Sequence, residues 1–166
     1  MNTTDYILDP DNPWICQEFI LYRKDFHKKL NEFILNEKIF YIGLINDYCS
    51  LLNNDFSFQV PSSNLDDTIE YMHDISTKRY FIDSFKSFWN ENELIGFYWL
   101  KGNVVDKIVV NTNYQRLGYG SYLLTYTFKS IFKNYDYEYA SLMCMLQNKS
   151  WLAFYQKYGL IEGIVE

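Results

Sequence analysis

Val109-Val110-Asn111-Thr112-Asn113-Tyr114-Gln115-Arg116-Leu117-Gly118-Tyr119-Gly120-Ser121 is the stretch on which the reading of this chain turns. A β-branched strand end runs into a polar loop, and the loop becomes a helix with two glycines at its start. The first backbone N–H groups of a helix have no intrahelical partner, and the helix dipole adds partial positive charge beside them. Glycines let a ligand approach those amides closely, so the segment can form an anion site for a phosphate or pyrophosphate. Arg116, one of three arginines in the chain, adds a mobile positive charge. A tight turn with a glycine-assisted helix start would use the same residues. A dinucleotide fold would need an earlier glycine and an acidic residue about 20 positions on. A P-loop would need Gly-Lys-Ser/Thr. Neither pattern is present.

Working outward, Ser87-Phe88-Trp89 and Leu94 to Leu100 flank the polar turn Asn90 to Glu93 and read as a hairpin. Lys101-Gly102-Asn103 is a second turn, and Val104 to Val110 a third strand. Leu124, Phe128, Ile131 and Phe132 share one face of the helix that starts near Gly118. Tyr139 to Leu146 reads as a strand, and Asn148 opens a last helix that ends at Gly159. Toward the N-terminus, Asn12-Pro13 resembles an N-cap and first helical position. Phe19, Tyr22, Phe26, Leu30 and Phe33 follow at spacings of three and four, which predicts an amphipathic helix. Ile39 to Leu52 continues the helical pattern until Asn53-Asn54-Asp55 breaks it. Phe56 to Val60 reads as extended before Pro61. Ser63 with Asp66 then predicts a capping box opening a helix that turns Ile69, Met72 and either Ile75 or His73 inward. Helices followed by β-β-β-α-β-α predict one α/β (α+β) domain over residues 1–166, with a helix-rich half 1–80.

The chain has 166 residues, with Lys+Arg 15 and Asp+Glu 21, so 15 − 21 gives −6. That length suits one domain, and such a chain can bury about 68–70% of its extended surface. Hydrophobic residues at 48% and charged residues at 22% are ordinary for a globular protein. A pI near 4.9 argues against nucleic acid or an anionic membrane as partner. Cys16, Cys49 and Cys144 lie far apart in apolar surroundings, and His27 and His73 lie far from them. They read as reduced core thiols, with no metal implied. Aromatic residues reach 20% but are spread along the chain without a basic groove. That pattern favours codon bias over a base-stacking surface. The N-terminus lacks signal-peptide order, and the apolar runs Ile39 to Ile45 and Leu94 to Leu100 are too short to span a bilayer. The expectation is a soluble cytoplasmic protein.

Gln115-x-x-Gly118-x-Gly120 resembles the Gln/Arg-x-x-Gly-x-Gly/Ala signature of the GNAT superfamily of N-acetyltransferases. Asn148-Lys-Ser-Trp-Leu-Ala-Phe-Tyr155, followed by Gly159-Leu160, resembles that family's second motif. The resemblance covers roughly Ser87 to Leu160. It implies a mixed, mostly antiparallel sheet with helices on both faces, and acetyl-CoA as cosubstrate without a metal. It implies that amides of Gln115, Arg116, Leu117, Gly118, Tyr119, Gly120 and Ser121 hold the pyrophosphate. Ile108, Val109 and Val110 would splay from the neighbouring strand to pair with the pantetheine arm, with Asn148 bonding the same arm. Tyr155 would protonate the departing thiolate, and a Val110 amide would polarise the carbonyl. Asp106 shares strand parity with Val104, Ile108 and Val110 and is the candidate base, or else an edge-strand charge. Glu91 and Glu93 read as turn charges.

Three positions depart from the family pattern: Thr112, Trp151 and Leu160. Only seven residues follow Gly159, a shortened end that would leave an open acceptor cleft or an edge completed by a partner chain, as in a homodimer. The implied activity moves an acetyl group to a primary amine, of a small molecule or a protein, by direct attack in a ternary complex. The alternative is a non-catalytic acyl-CoA-binding or protein-interaction domain.

Overall fold

The computed structural model of the chain describes residues 16–30, 33–59, 64–146 and 148–163, the side chains of 55–59 excepted. In chain order its elements are β1 (Cys16–Tyr22), β2 (Asn36–Lys38), α1 (Ile45–Gln59), α2 (Leu65–Ile75) and α3 (Arg79–Ser84). There follow β3 (Lys86–Asn90), β4 (Glu93–Lys101), β5 (Val104–Val110), α4 (Tyr119–Asn134), β6 (Tyr139–Met145), α5 (Lys149–Tyr158) and β7 (Ile161–Glu162). The strands form one sheet in the order β2-β3-β4-β5-β6-β1-β7. Only β5 and β6 run parallel among the described neighbours; the other pairs are antiparallel.

β4 is buried continuously from Leu94 to Leu100 because helices cover both faces of the sheet there. Tyr98 and Leu100 pack with Phe88, Leu123, Phe128 and Tyr155 on the face carrying α4 and α5. Phe97 and Trp99 pack with Tyr48, Leu52, Met72, Phe81 and Phe85 on the face carrying α1 to α3. The high aromatic content is therefore largely internal. Phe85, Phe97 and Trp99 stack with Phe97 and Trp99 only 5° from parallel, and Phe81 tilts against them.

Arg23 fastens the far end of α4. Its guanidinium donates to the carbonyls of Phe132 and Tyr137, each at 2.7 Å, and to that of Tyr135. A cation at a helix C-terminus satisfies orphan carbonyls and opposes the dipole's negative end.

The N-terminal reading needs correction. Cys16–Tyr22 is a strand, not a helix: Gln17, Phe19 and Leu21 alternate inward, and all seven residues pair with β6. Phe26, Leu30 and Phe33 belong to irregular chain laid against the α4 core. Asn12-Pro13 lies outside the described residues. The helix read from Ile39 starts at Ile45 after a 3-10 turn at Ile42–Leu44, and it passes through Asn53-Asn54-Asp55. Phe56 to Gln59 is thus helical and not extended, since asparagine lowers helix propensity without stopping a packed helix; Val60 is outside the described residues. The capping box lies one residue later than read. Asn64 Oδ1 accepts from the Asp67 amide at 2.9 Å, and Asp67 Oδ2 from the Asn64 amide at 3.4 Å. Ser63 is outside the described residues. Met72 and Ile75 are buried and His73 is exposed. Cys49 and Cys144 are buried thiols, but Cys16 is exposed.

β6 has no open edge on the side away from β5. β1 occupies that edge through a complete seven-residue register and in turn carries β7 on its other side.

Candidate active site

β5 and β6 pair only at Val104↔Ser141 and Val105↔Leu142. Beyond this point both strands continue, β5 paired outward to β4 as far as Val110 and β6 paired outward to β1 as far as Met145. Between them opens a wedge whose strand edges pair with no other strand among the described residues. The Asn111 amide donates to the Ile95 carbonyl on β4 at 2.8 Å. Strand alternation then turns the polar groups of Val110 and Ile108 into the wedge and those of Val109 toward β4. In keeping with this, the Val110 carbonyl accepts from Gln115 Nε2 at 3.3 Å. The Val109 side chain is buried against α1 to α3, so Val109 is the one member of the trio whose backbone and side chain both point away from the wedge.

The loop above the wedge is held from several sides. Asn111 Nδ2 donates to the Leu94 carbonyl at 2.9 Å, and Asn111 Oδ1 accepts from the Asn113 amide at 3.0 Å. The Tyr114 hydroxyl donates to Glu93. That bond is the main reason the Tyr114 hydroxyl is pushed up to about 12. Glu93 is therefore more than a turn charge: it ties the hairpin to the loop. Arg116 and Gly118 take positive φ values of 61° and 92°, and the left-handed turn at Gly118 leads directly into α4.

The first bond of α4 runs from the Tyr122 amide to the Gly118 carbonyl at 3.0 Å, and no side chain caps the helix start. The amides of Tyr119, Gly120 and Ser121 thus remain available, as the helix geometry requires. A β-carbon at Gly120 would meet only the Phe154 ring, at an ordinary 3.6 Å. The protein itself has no need of glycine there, so the open space suits a bound group. Arg116 and Leu117 are exposed beside it, and Tyr119 stacks on Phe33 with centroids 4.3 Å apart. Side-chain-free amides, an exposed guanidinium and an adjoining slot with strand-like donors fit the pyrophosphate and pantetheine arm of acetyl-CoA.

Asn148 caps α5: its Oδ1 accepts from the Trp151 amide at 3.3 Å, while its amide nitrogen makes no hydrogen bond among the described residues. Tyr155, two turns on, is buried within the α4–α5 core and touches the rings of Trp151, Phe154 and Phe19. Its neighbour Tyr158 shares a 2.8 Å hydroxyl bond with Thr125 on α4. Burial pushes the Tyr158 hydroxyl up to about 12.

Asp106 does not share a face with Ile108 and Val110. The β4–β5 register shifts between Trp99 and Leu100, and this bulge leaves Asp106 without its own partner on β4. Its Oδ2 accepts from the buried Trp99 indole at 2.6 Å, which places the carboxylate on the α1–α3 side at the closed end of the wedge. Burial first, and this carboxylate next, push up the hydroxyls of Tyr71, to about 12, and of Tyr80, with Asp74 adding to both. Trp99, Tyr71 and Tyr80 carried no motif signal, because a bulge and a helix packing across a sheet assemble them. Among the described residues no group of three or more His, Cys, Asp or Glu side chains could hold a metal, and no helix is long and apolar enough to cross a membrane.

An opened parallel strand pair leading into an uncapped, glycine-bearing helix start defines an acetyltransferase type of fold. The Acetyltransferase (GNAT) family model matches residues 45–160, and the chain belongs to that family. A Drosophila protein is similar in structure, with TM-score 0.64 at 14% identity over 90% of this chain. This chain spans about half of that protein's length, 48%. The PaiA N-acetyltransferase of Thermoplasma acidophilum in complex with coenzyme A is similar at TM-score 0.54 and 14% identity, over 76% of this chain and 89% of that one. An aminoglycoside 6'-N-acetyltransferase from Acinetobacter haemolyticus is similar at TM-score 0.56 and 15% identity, over 79% and 93%. No curated protein matches by sequence.

Proposed function

We propose that the protein is an acetyl-CoA-dependent N-acetyltransferase whose acceptor is a cationic primary amine. The observation that carries this reading is the wedge between β5 and β6 running into the free amides of Tyr119, Gly120 and Ser121. Bound acetyl-CoA supplies a thioester as acyl donor. Those amides and Arg116 hold its pyrophosphate, with the Gln115 to Gly118 turn aiming them. The wedge-facing groups of Ile108 and Val110 and the Asn148 amide bond the pantetheine arm. The Val110 N–H donates to the thioester carbonyl oxygen, as charge develops there in direct attack. Asp106 attracts the acceptor's ammonium on the α1–α3 side and takes its proton, directly or through water. The Tyr155 hydroxyl gives a proton to the departing thiolate. An overall charge of −6 also draws cations to the protein.

Two measurements test this. Acetyl-CoA at about 100 times its Kd should stabilise the protein by about 2.7 kcal/mol, a shift of roughly 5–10 °C. Thiol release should then be screened with alkylamines, diamines and amino sugars. The Asp106→Asn variant is expected to raise KM for the amine while leaving acetyl-CoA affinity unchanged. No thermal shift at millimolar acetyl-CoA would overturn the reading. Binding without turnover on any amine would leave a non-catalytic acyl-CoA-binding domain.

A further inference from the structure

Residues 16–22 lie outside the family match, which begins at residue 45. They nevertheless fill the sheet position between β6 and β7. β1 is fastened on both sides. Its whole length pairs with β6, and Gln17 Nε2 and the Glu18 carbonyl bond the Gly163 carbonyl and amide, at 3.2 and 2.9 Å. Phe19, the central residue of this strand, is fully buried, and its ring centre lies 5.8 Å from that of Tyr155 at an angle of 47°. The rings of Trp151 and Phe154 that also touch Tyr155 come from its own helix and move with it. Phe19 reaches Tyr155 from the sheet.

We infer that Phe19 is a positioning residue: β1, a strand the family match does not include, sets the direction of the Tyr155 hydroxyl through this ring contact. The inference rests on the role proposed above for Tyr155. A tyrosine ring has two soft torsions, and a helix alone fixes where the ring starts but not where the hydroxyl ends. A neighbour anchored to the sheet removes that freedom. An ångström of misplacement at a proton donor is enough to cost one to two orders of magnitude in rate.

The test is a double-mutant cycle on the full chain with Phe19→Leu and Tyr155→Phe, which keeps bulk in the core while removing the ring or the hydroxyl. Phe19→Leu is expected to lower kcat about tenfold, with KM for acetyl-CoA within twofold. In the Tyr155→Phe background the same change should have no further effect on kcat, because its path to the chemistry is gone. Leu21→Ala, on the same strand and the same buried face, serves as control and should lower thermal stability with kcat unchanged. Multiplying effects of Phe19→Leu and Tyr155→Phe would overturn the positioning role. An unchanged kcat in Tyr155→Phe alone would instead remove the assignment of Tyr155 as acid. Should the parent show no turnover, tyrosine-labelled NMR decides the matter. Loss of the Phe19 ring current shifts the Tyr155 ring signal, assigned by its loss in Tyr155→Phe, whatever the role of Phe19, so line width is the readout: the signal should broaden in Phe19→Leu and not in Leu21→Ala. A signal that stays as sharp as the parent's overturns the inference.

Discussion

Leu123 on α4 occupies the space that a side chain at Gly96 on β4 would need: a β-carbon there would lie 2.6 Å from Leu123 Cδ2 and closer still to the Val109 carbonyl oxygen. The glycine lets α4 settle directly on the sheet at the level of Val110, its partner on β5. This close seat fixes the start of the helix relative to the wedge. Gly96→Ala is therefore expected to destabilise by about 1–3 kcal/mol, toward the upper end because one opposing atom is backbone. Urea unfolding with an unchanged slope would show the loss, and acetyl-CoA affinity should fall with it. A midpoint equal to the parent's would mean that α4 can lift without cost.

Gly120 should behave in the opposite way. A β-carbon there meets only Phe154 at 3.6 Å, and the residue sits in the first turn of α4. Alanine is the better helix former by about 0.5–1 kcal/mol. Gly120→Ala should thus leave Tm equal or higher. If the space above the residue belongs to the pyrophosphate, the Kd for acetyl-CoA should weaken about tenfold or more, which is about 1.4 kcal/mol. Calorimetry of both proteins measures the two effects separately. A stabilised variant with unchanged affinity would place the ligand elsewhere.

The contrast between these glycines also shows what was legible in the sequence. The run from Lys86 to Asn134 could be read because its signals are local: alternation, turn residues, glycines at a helix start. Gly118 and Gly120 stood in a motif, whereas Gly96 is explained by the Val109 carbonyl oxygen on the paired strand and by Leu123, 27 positions away by the numbering. The N-terminal strand failed for a related reason. Phe19 and Tyr22 continue to Phe26, Leu30 and Phe33 at helical spacing, and only pairing with β6 decides that Phe19 belongs to a strand. Tertiary context overrides such periodicity. Asp106 was located correctly on its strand but given the wrong face, since a one-residue bulge reverses every side chain beyond it.

Cys49 makes stability fall at alkaline pH. The thiol is fully buried on α1, donates to the Thr68 carbonyl at 3.7 Å, and is pushed by burial from 9.0 to about 11. Because the folded pKa lies above the unfolded one, the unfolded chain gives up this proton first. The contribution is complete below about pH 9 and is lost as pH rises toward 11. In Cys49→Ala the difference in unfolding free energy from the parent should shrink by roughly 2 kcal/mol between pH 8 and pH 11. Buried tyrosines such as Tyr98 and Tyr158, both pushed up to about 12 by burial, add a later loss above pH 10 that both proteins share. A parent-to-variant difference that stays constant across this range would show that the thiol ionises freely in the folded state.

Asn148 has two separable duties, and a single pair of substitutions divides them. Its Oδ1 caps α5 by accepting from the Trp151 amide, and its amide nitrogen is the group assigned to the pantetheine arm. Aspartate is as good an N-cap as asparagine and suits the positive end of the helix dipole, but it has no N–H to donate. Asn148→Asp should keep the Tm of the parent while weakening acetyl-CoA binding about tenfold, the loss of a hydrogen bond worth about 1–1.5 kcal/mol. Asn148→Ala should lose the same affinity and also about 1 kcal/mol of stability. Equal affinity for all three proteins would leave Asn148 as a helix cap alone, and the pantetheine arm would then be held by β5 without help from α5.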